Sequence, residues 1–147
     1  MSIDEKDLEI INMLSKNSRM PYKKIAEKLG ISDVAVIKRI KKLENEGVIR
    51  RYTITVDAKK LGYKIISIIG IDADPAHLFA VIGFLKDKEN VRYLALSSGD
   101  HSIMAIIWAK DNEEIAKIHK EISEIEGVKR VCPSIILDVV KESDPLL

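Results

Sequence analysis

Five side chains between positions 34 and 42 have the types and spacing of a surface that binds DNA. At about 100° per residue along a helix, Val34, Lys38 and Lys41 share one side, with Ile37 and Lys42 at its margins. The lysines can reach phosphates or guanine edges, and the two apolar side chains can touch thymine methyl groups in a major groove. A helical bundle with a solvated lysine face is the alternative interpretation.

Three short helices would have to carry this surface and support it from behind. Helical periodicity predicts the first over residues 4–16, the second from Pro21 onward, and the third from an N-cap at Ser32 to about residue 46. Gly30 supplies the permissive backbone for a tight turn between the last two helices. The side of the third helix opposite the lysines carries an apolar stripe of Val36, Ile40 and Leu43. This arrangement is typical of a helix-turn-helix, and it favours DNA binding over a simple bundle.

Other basic residues close to the third helix are candidate phosphate contacts. Arg39 lies nearer the apolar stripe, so we expect from it either a phosphate contact or an internal ion pair. Residues 48–56 alternate enough to predict a strand, which would bring Arg50 and Arg51 beside the DNA backbone if it forms a wing. The predicted DNA-binding residues are Ser32, Asp33, Val34, Ile37, Lys38, Arg39, Lys41, Lys42, Arg50 and Arg51.

Charge is divided unevenly along the chain. The 147 residues carry a net charge of +1, but residues 1–60 hold 14 Lys and Arg against 9 Asp and Glu, a net of +5. Residues 61–147 hold the remaining 10 basic against 14 acidic residues, a net of −4. A basic half beside an acidic half points to a polyanionic partner for the basic half. We therefore predict a helix-turn-helix domain with a linker strand over residues 1–60 and a second domain over residues 61–147.

The predicted elements of residues 61–147 have the order βαββαβ. Strands are expected over residues 64–72, 90–97 and 102–109, and from 129 to about 141, after a turn or hinge at residues 57–62. The first helix should have Asp74 as N-cap and Pro75 at its first position. The second should run from a capping pair, Asp111 and Glu114, to Gly127. This order folds as a ferredoxin-like antiparallel sheet with both helices on one face, so the whole chain is predicted to be α+β, with a winged-helix-like first domain.

The second face of this sheet should be apolar as well. Along the strand predicted over residues 102–109, Ile103, Ala105 and Ile107 point one way and Met104, Ile106 and Trp108 point the other, so neither side of the strand is polar. In so small a domain the same sheet of another subunit is the expected cover, which gives an isologous homodimer. Such a dimer would also present two reading heads to a palindromic site.

Motifs for nucleotide hydrolysis or zinc chemistry are missing from the sequence. It has no phosphate-binding glycine loop and no HExxH, Cys132 is its single cysteine, and the three histidines are scattered. We predict no catalytic residue, no metal and no cofactor. Apolar stretches such as residues 103–109 are too short to span a bilayer, and the N-terminus lacks the basic start of a signal peptide. We expect a cytoplasmic protein that is not an enzyme and has no membrane partner.

Taken together, these residues resemble the Lrp/AsnC (feast/famine) family of transcription regulators over essentially the whole chain. The matching segments are Asn17-Ser18-Arg19, the run IAEKLGIS at 25–32, Val36, Arg39-Ile40 with Leu43-Glu44, Gly47-Val48-Ile49 and Leu61-Gly62. The resemblance implies a cytoplasmic regulator that forms dimers and often octamers built from dimers. It also implies that the βαββαβ domain is an effector and assembly domain.

The resemblance further implies an amino-acid effector held between dimers, with contacts from the turn at residues 99–102 and from the last strand. The sequence departs from the family pattern at Ser102, where an Asp would pair with an α-amino group. One alternative is that Asp100, two residues away, supplies the carboxylate; the other is that the site has none. The predicted effector-binding residues are Gly99, Asp100, His101, Ser102 and Ser134.

Two alternatives stand beside a DNA-binding regulator modulated by a small molecule such as an amino acid. A ligand-independent or architectural DNA-binding protein is motivated by Ser102. The other is an enzyme, because some proteins that resemble the family are sirohaem decarboxylase subunits. That activity would need a large tetrapyrrole cleft with basic or histidine groups, whereas the basic residues here concentrate on the reading head.

Overall fold

The computed structural model describes residues 3–141, which form two compact units. Residues 3–55, together with Lys141, make the first unit, and residues 56–140 make the second. The six residues of the second predicted domain at positions 142–147 lie outside the described residues.

The first unit contains the three predicted helices. They are α1 (Glu5–Lys16), α2 (Tyr22–Leu29) and α3 (Asp33–Asn45). Asp4 starts α1 in a capping box, in which its side chain accepts a hydrogen bond from the Asp7 backbone and the Asp7 side chain accepts one from the Asp4 backbone. Gly30 ends α2 with φ +61°, the left-handed conformation that a glycine adopts without strain. Ser32 then caps α3 by accepting from the Ala35 N–H at 3.2 Å.

Apolar side chains from all three helices meet in one core. Ile10 and Leu14 of α1 pack with Ile25 and Ala26 of α2, and the third wall is the predicted stripe of α3. The members of that stripe, Val36, Ile40 and Leu43, are almost completely buried. Because this stripe is buried, the opposite side of α3 faces solvent.

The strand predicted over residues 48–56 is wrong, because none of these residues belongs to a strand within the described chain. Instead, the Val48 and Ile49 N–H groups donate to the Leu43 carbonyl at the end of α3, and both side chains pack against the helical core. A strand needs a neighbour for its hydrogen bonds, and no other described segment pairs with this one.

The second unit has the predicted βαββαβ order. Its elements are β1 (Ile65–Ala73), α4 (Leu78–Lys86), β2 (Val91–Leu96), β3 (Ile103–Ala109), α5 (Asn112–Ser123) and β4 (Val128–Ile135). The strands form one antiparallel sheet in the order β2-β3-β1-β4, with β1 and β3 in the centre. Alternate residues of β1 and β3 pack with α4 and α5 in a single core, so both helices lie on one face as predicted.

Three predicted boundaries in this unit need correction. Helix α4 begins at Leu78 and not at Pro75, because Asp74 accepts hydrogen bonds from the Ala76 and His77 N–H groups and closes a separate turn. Helix α5 ends at Ser123, four residues before Gly127. Strand β4 ends at Ile135 and not near residue 141. Ile135 lies opposite Ser67, the Ile136 N–H still donates to the Ile66 carbonyl, and β1 begins at Ile65, so it has no residues to pair with positions 138–141.

Candidate DNA interface and effector corner

The exposed side of α3 brings five predicted residues together in what we call the reading face: Val34, Ile37, Lys38, Lys41 and Lys42. They line a shallow concavity of about 520 Å³, to which Asn45 and Glu46, absent from the predicted set, also contribute. Val34 is 74% exposed although it is apolar. Ser32 and Asp33 are also exposed and stand at the N-terminal end of the same helix. The reading face therefore combines three lysines with two apolar side chains, Val34 and Ile37.

Arg39 is turned away from this surface and ties α3 to α1. Its Nη1 atom lies 2.7 Å from Asp4 Oδ2 and 2.7 Å from Asp7 Oδ1, and the Asp7 carboxylate is 1% exposed. The hydrogen bonds that Arg39 donates to Asp4 and Asp7 raise the pKa of its guanidinium. Of the two contacts expected from Arg39, the internal ion pair is the one present in this structure. Lys42 also approaches this site, with its Nζ 4.0 Å from Asp7 Oδ2.

Arg50 and Arg51 are exposed and lie in the segment that forms no strand. The next residue, Tyr52, donates a hydrogen bond from its hydroxyl to Glu44 Oε1 at 2.7 Å, which links the segment to α3. Burial and then Glu44 raise the pKa of Tyr52. Sequence reasoning missed this link, because the pairing of Tyr52 with Glu44 follows no helical or strand periodicity.

The turn between β2 and β3 carries four of the predicted effector residues, and two of them are bound to β1. Ser102 Oγ donates to the Ile71 carbonyl and accepts from the Ala73 N–H, each at 3.2 Å. The His101 ring lies against Gly70, and its Nδ1 is 2.9 Å from Asp72 Oδ1. The Ser102 hydroxyl, which stands where the family pattern has a carboxylate, is thus occupied by the backbone of the sheet.

Asp72 and Arg130 complete this site, although neither was predicted. Arg130 Nε donates to Asp72 Oδ2 at 2.7 Å, while His101 occupies the other carboxylate oxygen. His101 and then Arg130 hold the pKa of Asp72 below its usual value. The two residues are 58 positions apart and meet because β1 and β4 pair in register at this point. We call the set Asp72, Asp100, His101, Ser102 and Arg130 the effector corner.

Ser134 does not join the effector corner within one chain. The sheet register places it opposite Ile68, whereas Ser102 binds Ile71, three residues further along β1. At the rise of a strand, this separation along β1 is about 10 Å. Ser134 is exposed and lies on the side of the sheet away from the helices.

That side of the sheet, the outer face, is largely apolar. Its members on β1 and β3 are Ile66, Ile68, Met104, Ile106 and Trp108, and they are half-buried or exposed. Trp108 is flanked by Tyr63, with ring centroids 5.5 Å apart, and by the Arg92 guanidinium, 4.7 Å above its ring. Neither helix of this unit packs on the outer face.

Two family models match the chain. Residues 3–50 match one described as winged helix-turn-helix DNA-binding, and residues 66–146 match one described as Lrp/AsnC ligand binding domain. The chain belongs to the Lrp/AsnC family. The predicted helix-turn-helix and the α+β architecture are thereby confirmed.

Named relatives agree with this assignment of the Lrp/AsnC protein. It is 53% identical over 140 residues to the HTH-type transcriptional regulator LrpA of Pyrococcus horikoshii, and 52% identical over 140 residues to that of Pyrococcus abyssi. Each match covers 95% of this chain and 99% of the relative. Both relatives are named as transcriptional regulators, and this Lrp/AsnC protein is a DNA-binding regulator with a ligand-binding domain.

Solved structures have the same fold as this Lrp/AsnC protein. LrpC of Bacillus subtilis superposes with a TM-score of 0.88 at 26% identity, covering 96% of this chain and 99% of that one. A Neisseria meningitidis transcriptional regulator in complex with L-Met gives a TM-score of 0.91 at 17% identity, covering 99% and 97%. Within residues 3–141 of the present chain, no helix is long and apolar enough to cross a bilayer. Across the same residues, no group of three or more His, Cys, Asp or Glu side chains is arranged to hold a metal ion.

Proposed function

We propose that this protein is a sequence-specific regulator that contacts DNA with the reading face of α3 and responds to a small molecule in its second domain. The observation that carries the DNA part is the exposed Val34 among lysines, on a helix whose opposite side is locked in the core. An exposed apolar residue at such a place is explained by contact with base edges in a major groove. Residues 1–60 would form the reading head, with Arg50 and Arg51 as backbone contacts, and the protein would act on DNA in the cytoplasm.

A salt titration tests the reading face. Binding to DNA from upstream of the protein's own gene would be measured between low and physiological salt for the wild type, Lys38→Ala and Lys41→Ala. Each lost phosphate contact should reduce the slope of log K against log salt by about 0.9. Val34→Ser should instead reduce discrimination between operator and random DNA at an unchanged slope. Lys6→Ala, an exposed lysine of α1, is the matched control and should leave the slope unchanged. Wild-type slopes and selectivity in all three reading-face variants would contradict the proposal.

We also propose that the outer face packs against the outer face of a second copy, and that residues 61–147 assemble dimers into an octamer. Support comes from the apolar side chains at the centre of that face, which neither helix of the unit covers. An isologous contact buries the same residues on both copies. Ile106→Glu should therefore lower the molar mass measured by sedimentation equilibrium, whereas Leu8→Glu, the same kind of change at an exposed site in α1, should not. A mass unchanged by Ile106→Glu would refute this interface.

We propose that the effector binds at the turn of residues 99–102. Because Ser134 lies away from this turn within one chain, any contact from Ser134 would come from another copy of the protein. An amino acid is the first candidate, since the Neisseria structure of the same fold is a complex with L-Met. The competing function is ligand-independent DNA binding, which is favoured by the engagement of Ser102 with the sheet backbone. A panel of amino acids separates the two. Stabilisation of the protein and a change in operator affinity by any of them supports sensing, and no response supports ligand independence.

A further inference from the structure

The guanidinium of Arg130, in the effector corner, uses only its Nε group in hydrogen bonds within residues 3–141. Arg130 presents Nε to Asp72, but within residues 3–141 no hydrogen bond or ion pair engages its Nη1 and Nη2 atoms. The side chain is 60% exposed, whereas the Asp72 side chain beneath it is 24% exposed. A guanidinium is a planar fork, so fixing it at Nε leaves the outer pair of N–H groups parallel and directed away from the bond.

That outer edge is held in place before any ligand arrives. Asp72 lies between Arg130 and His101, and both of its oxygens are occupied. The His101 ring in turn rests on Gly70, a position where any side chain would overlap the ring. Arg130 is therefore oriented through Asp72 by the central strand of the sheet, which reduces the entropy lost when it binds a carboxylate.

An amino-acid effector would also need an anionic group to bind its α-ammonium, and the effector corner offers few such groups. Ser102 has its hydroxyl committed to the Ile71 carbonyl and the Ala73 N–H, and Asp72 already accepts two hydrogen bonds. Asp100 remains exposed on the turn, and it raises the pKa of Arg130 less than Asp72 does. The corner thus presents an oriented guanidinium edge to an anion, whereas the carboxylate it could offer to a cation, Asp100, is solvent-exposed on a turn and is not held in place by the sheet.

We infer that Arg130 binds the carboxylate of the effector through its two Nη groups, with Asp72 as a positioning residue, and that an α-ammonium is dispensable. This inference rests on the proposed effector binding at residues 99–102. The ligand class is a small organic acid, which includes amino acids and the corresponding 2-oxo acids. Because charge-assisted hydrogen bonds are stronger than neutral ones, loss of the guanidinium should weaken binding roughly 10- to 100-fold.

The test uses the full-length protein and three sets of probes: the twenty amino acids, the 2-oxo acids that correspond to them, and their carboxamides. Binding is measured by isothermal titration calorimetry for the wild type, Arg130→Gln, Arg130→Lys and the control Lys129→Gln. Lys129 is the neighbouring exposed cation of β4, paired with Asp74 at 3.5 Å, and it should be neutral for binding. Far-UV circular dichroism and operator affinity without effector establish that each variant is folded.

We expect an amino acid to bind the wild type and the corresponding 2-oxo acid to bind with a dissociation constant within a few-fold of that of the amino acid. The corresponding carboxamide should bind much more weakly than either. Arg130→Gln should bind the amino acid and its carboxamide about equally. Arg130→Lys should retain part of the preference for the carboxylate over the carboxamide, because lysine keeps the positive charge but lacks the two parallel N–H groups of the guanidinium. A purely structural Arg130 would weaken all probes alike without changing this preference. If an amino acid binds but Arg130→Gln keeps the preference, or if the carboxamide binds as well as the acid, the inference is overturned while the proposed sensing stands. If no probe binds the wild type, sensing itself fails and the inference fails with it.

Discussion

Replacing Arg39 with methionine should destabilise the helix-turn-helix unit without removing a DNA contact. The substitution keeps an unbranched apolar stem on α3 but leaves the buried Asp7 carboxylate, 1% exposed, without its partner at 2.7 Å. Removing one member of a buried ion pair typically costs about 3–5 kcal/mol. Two features reduce this cost here: Arg39 is itself 30% exposed, and Lys42 Nζ remains 4.0 Å from Asp7. We expect a loss of about 2 kcal/mol in the free energy of unfolding.

Urea unfolding and a salt titration on the same variants separate stability from DNA contact. Arg39→Met should shift the urea midpoint downward, and at a temperature where it stays folded its slope of log K against log salt should equal that of the wild type. Lys41→Ala on the reading face is the control for which the opposite result is expected. Its stability should stay within about 0.5 kcal/mol of the wild type, while its slope should fall by about 0.9.

A double variant shows whether the ion pair is the cause of the loss. In Arg39→Met combined with Asp7→Asn, no buried carboxylate is left unpaired, so the combined loss should be smaller than the sum of the two single losses. Additive losses would mean that Arg39 acts through packing alone. A reduced salt slope in Arg39→Met would mean that the side chain leaves Asp7 to contact phosphate, and the assignment of Arg39 to the core of the unit would be wrong.

Three further substitutions have expected outcomes that the structure makes specific. Burial lowers the pKa of His119, so the unfolded chain takes up a proton below about pH 6.5 before the folded protein does. The free energy of unfolding should therefore fall between pH 7 and pH 5, and His119→Gln should reduce that fall in urea titrations at the two pH values. Gly70→Ala should cost about 1–3 kcal/mol because its methyl group overlaps the His101 ring; in a His101→Ala background the cost should shrink, and an unchanged cost would place the strain elsewhere. Ser32→Ala removes the N-cap of α3 and should lower the unfolding free energy by about 1 kcal/mol, with Ser32→Asp as the control that retains it.

The elements that the sequence predicts correctly are those whose pattern of apolar and polar residues can be read within the segment alone. The stripe of Val36, Ile40 and Leu43 demands burial on one side of α3 and therefore exposure of Lys38 and Lys41 on the other. Alternation along β3 likewise divides its residues between the two faces of the sheet. Such patterns need no knowledge of distant residues.

The errors arise where local signals compete or where a partner is required. Asp74 and Pro75 carry a valid start signal for a helix, but the Asp74 side chain and carbonyl are used to close a turn, so α4 begins later. Residues 48–56 have the composition of a strand, yet a strand exists only where another segment supplies its hydrogen bonds. The effector corner was half predicted for the same reason, because Asp72 and Arg130 become neighbours only through the register of β1 with β4.

The reading face and the effector corner belong to different units of the chain, and this restricts how an effector can act on DNA binding. The reading face lies in the unit formed mainly by residues 3–55, and the effector corner lies in the unit of residues 56–140. If a small acid bound at Arg130 makes no contact with DNA, it can change operator affinity only by binding one arrangement of the subunits more tightly than another. That requirement connects the two proposals: if the outer face pairs two copies, their reading heads are linked, and a modest shift in assembly changes the effective concentration of the second head at its half-site. A monomeric variant such as Ile106→Glu should accordingly lose the DNA response to the effector along with the tight binding to a two-half-site operator.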